Sequence, residues 1–247
     1  MLVDSHCHLN SLSETEKKSC ILSSSENSIL IDSSIDYPTS LKSLELARNY
    51  SFIYSSLGFH PFCAKDFEPN LVNKYDTLIR ENKRIAAIGE IGLDYKADIS
   101  LNEQEAILRV FIDLAKNNGL AVILHNRLAS FQILEILDDF FPSYEKVVFH
   151  CFSYSVELLQ EILRRKGNVS FSLNILRNKP EISQSLKACP LENLLLETDS
   201  PYMRVKNRPS SSLDIAKVYS FAAEIKGLEE EKIEEAILAN ARRIFKI

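Results

Sequence analysis

Short apolar runs alternate with longer stretches of helical period along the whole chain. The short runs, rich in β-branched residues, fall at 2–6, 29–32, 53–57, 85–90, 121–125, 146–150, 168–173 and 194–197, and each reads as a strand. Between them, apolar positions recurring every three or four residues predict helices over 13–23, 39–49, 70–82, 101–118, 129–140, 155–165 and 181–188. Two more, over 211–226 and 229–243, close the chain. The 101–118 segment is the clearest. Ser100 and Glu103 are spaced as a capping box, apolar residues from Leu101 to Leu114 recur at helical spacing, and Asn118-Gly119 supplies the stop. Runs such as Ala121 to Leu124 and Val147 to Phe149 are apolar on both faces, which suits strands of a parallel sheet covered on both sides. Eight strand-then-helix units predict an α/β fold, a single-domain (β/α)8 TIM barrel over residues 1–247. A doubly wound open sheet is the other architecture this pattern permits.

Composition narrows the picture little. Of 247 residues, 45% are hydrophobic and 26% charged, as in ordinary soluble domains. No apolar run approaches the roughly 18 residues a membrane helix needs, and no basic leader precedes the first strand. The expectation is a cytoplasmic protein without membrane contact, a monomer being favoured. Five cysteines (Cys7, Cys20, Cys63, Cys151, Cys189) make an odd count with no C-x-x-C pair, which argues for buried free thiols in a reducing compartment. Strand alternation places Cys151 on the face opposite His150, so a thiol nucleophile is not expected there. The formal net charge of −5 excludes a protein that coats duplex nucleic acid through a basic surface. A phosphate-bearing substrate would have to be held locally.

The candidate chemistry sits at the strand ends. The five histidines, His6, His8, His60, His125 and His150, each lie at or just past the end of an expected strand, as do Glu90 and Asp199. In a β/α barrel those ends converge on the mouth where active sites are built. His6 and His8, two apart, project to the same face. Four imidazoles (His6, His8, His125, His150) and two carboxylates (Glu90, Asp199) exceed the usual shell of one ion. They fit two divalent ions (Mg²⁺, Mn²⁺ or Zn²⁺) sharing a carboxylate, an arrangement suited to hydrolysis. Glu90, entering from the middle of the sheet, is the natural bridge. Asp199 is the natural partner of the attacking water, and these two acids form the expected catalytic pair. His60, in Gly58-Phe-His-Pro61, is expected to donate to a substrate oxygen, a loop-anchoring role being the alternative. Glu197 shares a strand face with Asp199, and both a supporting role at the site and a buried ion pair stay open for it. Lys96 and Arg127 follow the fourth and fifth strands, Arg177 and Lys179 the seventh, and Arg204, Lys206 and Arg208 the eighth. Of these, Arg127, Arg177 and Arg208 are expected, with His60, to bind substrate.

Seven stretches in order resemble the TatD family of metal-dependent deoxyribonucleases in the amidohydrolase superfamily. They are Asp4-Ser-His-Cys-His-Leu9, Gly58-Phe-His-Pro61, Gly89-Glu-Ile-Gly-Leu-Asp-Tyr95, His125-Asn-Arg127, Phe149-His-Cys-Phe-Ser153, Leu195-Leu-Glu-Thr-Asp-Ser-Pro-Tyr202 and Asn240-Ala-Arg-Arg-Ile-Phe245. The resemblance implies a TIM barrel in which His6 and His8 hold one metal with Asp199, Glu90 bridges, and His125 and His150 hold the second. It implies a nuclease, 3′→5′ on ends of single-stranded DNA and also on RNA. Hydrolysis of a small ester or amide, or aminoacyl-tRNA deacylation, is the alternative activity within the superfamily. Asp94 and Tyr95 read as loop-shaping members of their motif. Asn10, Leu128 and Tyr154 depart from the family pattern, which commonly has Asp, Asp and Gly there.

Overall fold

The computed structural model describes residues 1–24 and 27–247. Eight parallel strands pair in chain order: β1 (Leu2–Cys7), β2 (Ser28–Ser33), β3 (Ile53–Leu57), β4 (Ile85–Asp94), β5 (Ala121–Arg127), β6 (Val147–Phe149), β7 (Asn168–Phe171) and β8 (Leu194–Leu196). This order is that of a barrel, not of a doubly wound sheet. The seam between β1 and β8 is closed just beyond their regular ladders. Asp199 N–H donates to the His6 carbonyl at 3.0 Å and His8 N–H to the Ser200 carbonyl at 2.8 Å. The buried Asp4 carboxylate accepts from Thr198 N–H at 2.9 Å and Thr198 Oγ1 at 2.6 Å.

Nine α-helices lie among the described residues: α1 (Glu14–Ser23), α2 (Tyr37–Asn49), α3 (Leu71–Glu81), α4 (Leu101–Asn118), α5 (Gln132–Asp138), α6 (Val156–Arg164), α7 (Pro180–Ala188), α8 (Ile215–Lys226) and α9 (Glu230–Phe245). Their starts follow from sequence. Ser13 with Glu16, Asp36 with Thr39, and Ser100 with Glu103 form reciprocal caps on α1, α2 and α4, and Gly119, at φ 64°, ends α4. The main apolar core lies inside the barrel and between it and the helices. A smaller cluster under α1 and α2 takes Cys7, Leu9, Cys20, Leu46 and Ala47, so Cys7 does point away from its neighbouring histidines. All five cysteines are free. The buried Tyr219 hydroxyl of α8 donates to the Val3 carbonyl and accepts from Val3 N–H, both at 3.0 Å. None of the described helices is long and apolar enough to cross a membrane.

Two elements differ from expectation. The strand expected over 85–90 continues to Asp94, pairing with β5 through Asp94 opposite Arg127. Gly89 and Gly92 allow close approach of backbones there. A Cβ on Gly92 (φ 155°) would lie 1.8 Å from the His125 carbonyl oxygen. The helix expected over 129–140 is confined to α5, because Leu128 and Ser130 adopt positive φ of 64° and 47° and break any continuous helical run. A hairpin of β9 (Arg204–Val205) and β10 (Arg208–Pro209) precedes α8.

Candidate active site

The strand ends bring His6, His8, His60, Glu90, His125, His150 and Asp199 into one cluster, and all seven are buried or nearly so. Glu90 stands at its centre. Its Oε1 is 2.7 Å from His125 Nδ1, 2.7 Å from His150 Nε2 and 3.5 Å from His60 Nε2. Its Oε2 lies 3.3 Å from His6 Nε2 and 3.6 Å from His8 Nε2. Asp199 Oδ1 is 3.5 Å from His8 Nε2 and 3.9 Å from His6 Nε2. Three overlapping sets have ligand atoms within 4.8 Å of one another: His6 with His8 and Asp199, His6 with Glu90 and His150, and His60 with Glu90 and His125. The two oxygens of Glu90 thus serve two halves of the cluster.

The outward nitrogen of each ring identifies which histidines offer a lone pair. His8 Nδ1 lies 2.8 Å from the Ser33 carbonyl, which can only accept. His125 Nε2 is 2.9 Å from Asp94 Oδ2, and His150 Nδ1 is 3.3 Å from Glu197 Oε1, both carboxylate acceptors. His6 Nδ1 is 3.0 Å from Ser33 Oγ, which can accept as well. In all four an acceptor stands at the outer nitrogen, so a bound metal would take the inner one, the pattern of metal-bound histidines. His60 is the reverse. Its Nδ1 accepts from Phe62 N–H at 3.0 Å, so the neutral ring carries its proton on Nε2, facing Glu90.

Charge follows the same plan. Burial favours the neutral acid at Glu90, but His150, His60 and His125 outweigh it and hold the carboxyl well below the usual range. Asp199 is likewise held down against burial by the His8 hydrogen bond and by His150 and His6. Two ionised acids among four inward-facing ring nitrogens make a donor set that suits divalent cations.

The cluster floors a cavity of about 570 Å³. Arg127, Arg177 and Lys179 line it, as do Asn126, Ser153, Phe62 and Tyr202. Arg208 does not. Its two terminal nitrogens clasp Asp214 at 2.8 and 2.7 Å, so the expectation that it binds substrate is corrected: this guanidinium is already neutralised beside α8. Cys151 is corrected in the other direction. The strand stops at Phe149 and Cys151 turns with φ 47°, so alternation no longer applies and the residue lines the cavity. Burial, with Asp199 and Glu197 nearby, pushes its thiol well above its ordinary range and disfavours the thiolate.

Three residues support the histidines from behind, and of these only Ser33 was missed by sequence reading. Ser33 carries the outer nitrogens of both His6 and His8. Asp94, expected to shape its loop, does accept from Lys96 N–H at 2.7 Å through Oδ1, and its Oδ2 also orients His125 from the extended part of β4. Glu197, left open above, accepts from Cys151 N–H at 2.8 Å and from Ser170 Oγ besides orienting His150; no lysine or arginine pairs with it among the described residues. The departures have local partners too. Asn10 Nδ2 donates to Asp32 Oδ1 at 3.0 Å and to the Ser33 carbonyl at 2.7 Å, where an aspartate would meet Asp32 with like charge. Tyr154 donates to the Asn126 carbonyl at 3.0 Å, and Leu128 is exposed at the rim.

Similarity to known proteins covers the whole chain. The family model described as TatD related DNase matches residues 3–246. The metal-dependent hydrolase YabD of Bacillus subtilis is 30% identical over 259 residues, covering 100% of both chains. The 3'-5' ssDNA/RNA exonuclease TatD of Klebsiella pneumoniae is 32% identical over 220 residues, covering 85% of this chain and 83% of its own. Among solved structures, YjjV, a TatD homolog from Escherichia coli, superposes with a TM-score of 0.90 at 25% identity, covering 100% of this chain and 98% of that one. With the motifs, the barrel and a profile match from end to end in agreement, this chain belongs to the TatD family of metal-dependent hydrolases.

Proposed function

We propose that this hydrolase is a nuclease that removes nucleotides from the 3′ ends of single-stranded DNA, and of RNA as a second substrate, using two divalent ions. The observation that carries the reading is the set of four imidazoles, each with an acceptor at its outer nitrogen and its inner nitrogen turned toward Glu90 or Asp199. Support for a nucleic-acid substrate comes from the naming of the Klebsiella relative and from Arg127, Arg177 and Lys179 lining the cavity.

In this reading His6, His8 and Asp199 hold one ion, His125 and His150 the other, and Glu90 lies between them. The ions, when bound, supply Lewis acidity that eases deprotonation of water and offsets charge on the phosphate. The residues of the chain do the rest. Asp199 Oδ1, kept ionised by its neighbours, accepts the proton of the attacking water. His60 Nε2–H donates to a phosphoryl oxygen as charge builds on it. Asp94, Glu197 and Ser33 fix the rings so that little reorganisation is needed, and the cavity cations bind flanking phosphates.

The test is cleavage of 3′- and 5′-labelled single strands with added Mg²⁺ or Mn²⁺, run beside generic esters and amides. Stepwise shortening from the 3′ end is expected, and Asp199→Asn should lower it by about 10²–10⁴-fold, the span for general-base catalysis. Turnover of esters or amides with no oligonucleotide shortened would replace this reading by small-molecule hydrolysis.

A further inference from the structure

Cations that line the cavity can hold phosphates but read nothing of a base. Two aromatic rings open onto the same cavity and have no part in the chemistry above. Phe62 and Tyr202 are each 55% exposed, although most large apolar side chains of this protein are buried. Both are also held in place. Phe62 N–H donates to His60 Nδ1 at 3.0 Å, and its ring lies 5.1 Å from the His60 ring. Tyr202 N–H donates to the Asp199 carbonyl at 3.0 Å, and its ring meets His8 edge-on at 4.8 Å. Each ring is therefore tied through backbone and ring contact to a member of the cluster where the scissile phosphate would sit. One face of each is packed and the rest is left to the cavity.

We propose that Phe62 and Tyr202 form a stacking surface for the unpaired bases next to the cleaved linkage. This deepens the nuclease reading and rests on it. Stacking accepts any base, because every base has a π-face, and it requires that the base be free of its partner strand. The phosphates are taken by Arg177 and Lys179, neither of which forms an ion pair among the described residues. The cavity so furnished takes single-stranded or frayed ends of any sequence and rejects a paired terminus. Covering the histidine rings accounts for the packed faces of Phe62 and Tyr202 but not for their exposed ones.

The metal-loaded protein is titrated with single strands whose 3′-terminal linkage is a phosphorothioate, to slow cleavage, and whose terminal base is 2-aminopurine. Stacking quenches that fluorophore. Quenching is expected with the parent protein and should be lost in Phe62→Leu and Tyr202→Leu, which keep apolar bulk without a π-face. Each should weaken Kd by about 5- to 150-fold, the span of one base–aromatic stack. A strand with an abasic 3′ end should bind the parent protein as weakly, and the two leucine variants should weaken it no further. Phe62→Trp and Tyr202→Phe should restore tight binding, which separates loss of stacking from misfolding. Unchanged Kd in both leucine variants, or an abasic end bound as tightly as a natural one, overturns the stacking surface while leaving the nuclease in place. Failure of the parent protein to shorten any unmodified strand would instead remove the nuclease reading itself.

Discussion

Whether an imidazole ligates or donates is decided at the nitrogen that faces away from the cavity. Four rings here face a carbonyl, a hydroxyl or a carboxylate at that nitrogen, and His60 alone accepts there, from Phe62 N–H. His60→Ala should therefore leave bound metal at its full stoichiometry while lowering turnover by about 10²–10³-fold, as for loss of one preorganised donor. Elemental analysis beside single-turnover rates would check this, and a loss of metal in the variant would make His60 a ligand. Asp94→Asn is the complementary case. The amide cannot hold His125 as the carboxylate does, so metal affinity should fall by about 10–100-fold, as for other partners of ligating histidines. Competition with a chelator measures it, and an unchanged affinity would reduce Asp94 to a structural acid. The histidines were legible in sequence because there are only five and all fall at strand ends. Their tautomers were not, because Ser33, Asp94 and Glu197 arrive from three other strands, and nothing in the local spacing links them to the rings they hold.

At the scale of elements, the alternation of strands and helices was readable throughout, and the misses came where glycine or a left-handed residue changed the backbone. The strand expected to end at Glu90 continues to Asp94 because Gly92 lets β4 run past His125. Gly92→Ala would set a Cβ 1.8 Å from a carbonyl oxygen at φ 155°, where neither backbone can yield. A loss of more than about 3 kcal/mol is expected, or roughly 6–12 °C in Tm for a chain of this size. Gly119 provides the contrast. Its φ is 64° but nothing lies within 4 Å of the added Cβ, so Gly119→Ala should cost only the left-handed penalty of about 1–2 kcal/mol. Equal losses in the two variants would show that close approach adds nothing. The hairpin of β9 and β10 carries a second lesson. Arg208 looked like part of a basic loop because its acidic partner, Asp214, lies beyond the turn at the start of α8. Burial opposes ionisation of Asp214, but Arg208, Lys217 and the Ser211 N–H hold its carboxyl down to about 2. The folded pKa is depressed, so this stability is present above the ordinary value near 3.8 and lost as pH falls toward 2. Both cations are half exposed, and solvent screening reduces the net contribution to about 1 kcal/mol. Asp214→Asn should lower Tm by about 2–4 °C at neutral pH. In Arg208→Ala the carboxyl should titrate closer to 3.8 by NMR, and an unmoved titration would mean that Arg208 does not stabilise it.

The anionic substrate proposed above is reconciled with an acidic chain by where the cations stand. Net charge is −5, so the surface at large repels nucleic acid, and attraction is confined to the mouth of the barrel. Strand order puts it there. With β1 closing on β8, the loops after the strands form one ring, and residues as distant in sequence as Arg127 and Lys179 line the same cavity. Most other guanidiniums are already engaged: Arg109 by Glu105 of its own helix and by Asp139, Arg165 by Asp138, Arg84 by the carbonyls of Ser51 and Ile53, and Arg208 by Asp214. That leaves Arg127, Arg177 and Lys179 facing the cavity, with Arg127 only loosely paired to Asp94 at 3.8 Å. Each phosphate neutralised on a single strand contributes about −0.7 to the slope of log affinity against log salt. Three such contacts predict a slope of about −2, far shallower than that of proteins that track a nucleic-acid backbone. Arg177→Gln should flatten it by about 0.7 and weaken binding alike for every base sequence, because a phosphate contact carries no base information. The measurement is Kd for one oligonucleotide across a salt series in parent and variant. A slope steeper than about −4 would mean that the strand runs over a basic surface outside the barrel mouth. A slope near zero would mean that these three side chains do not touch phosphate, and that stacking and the cluster of imidazoles and acids hold the end alone.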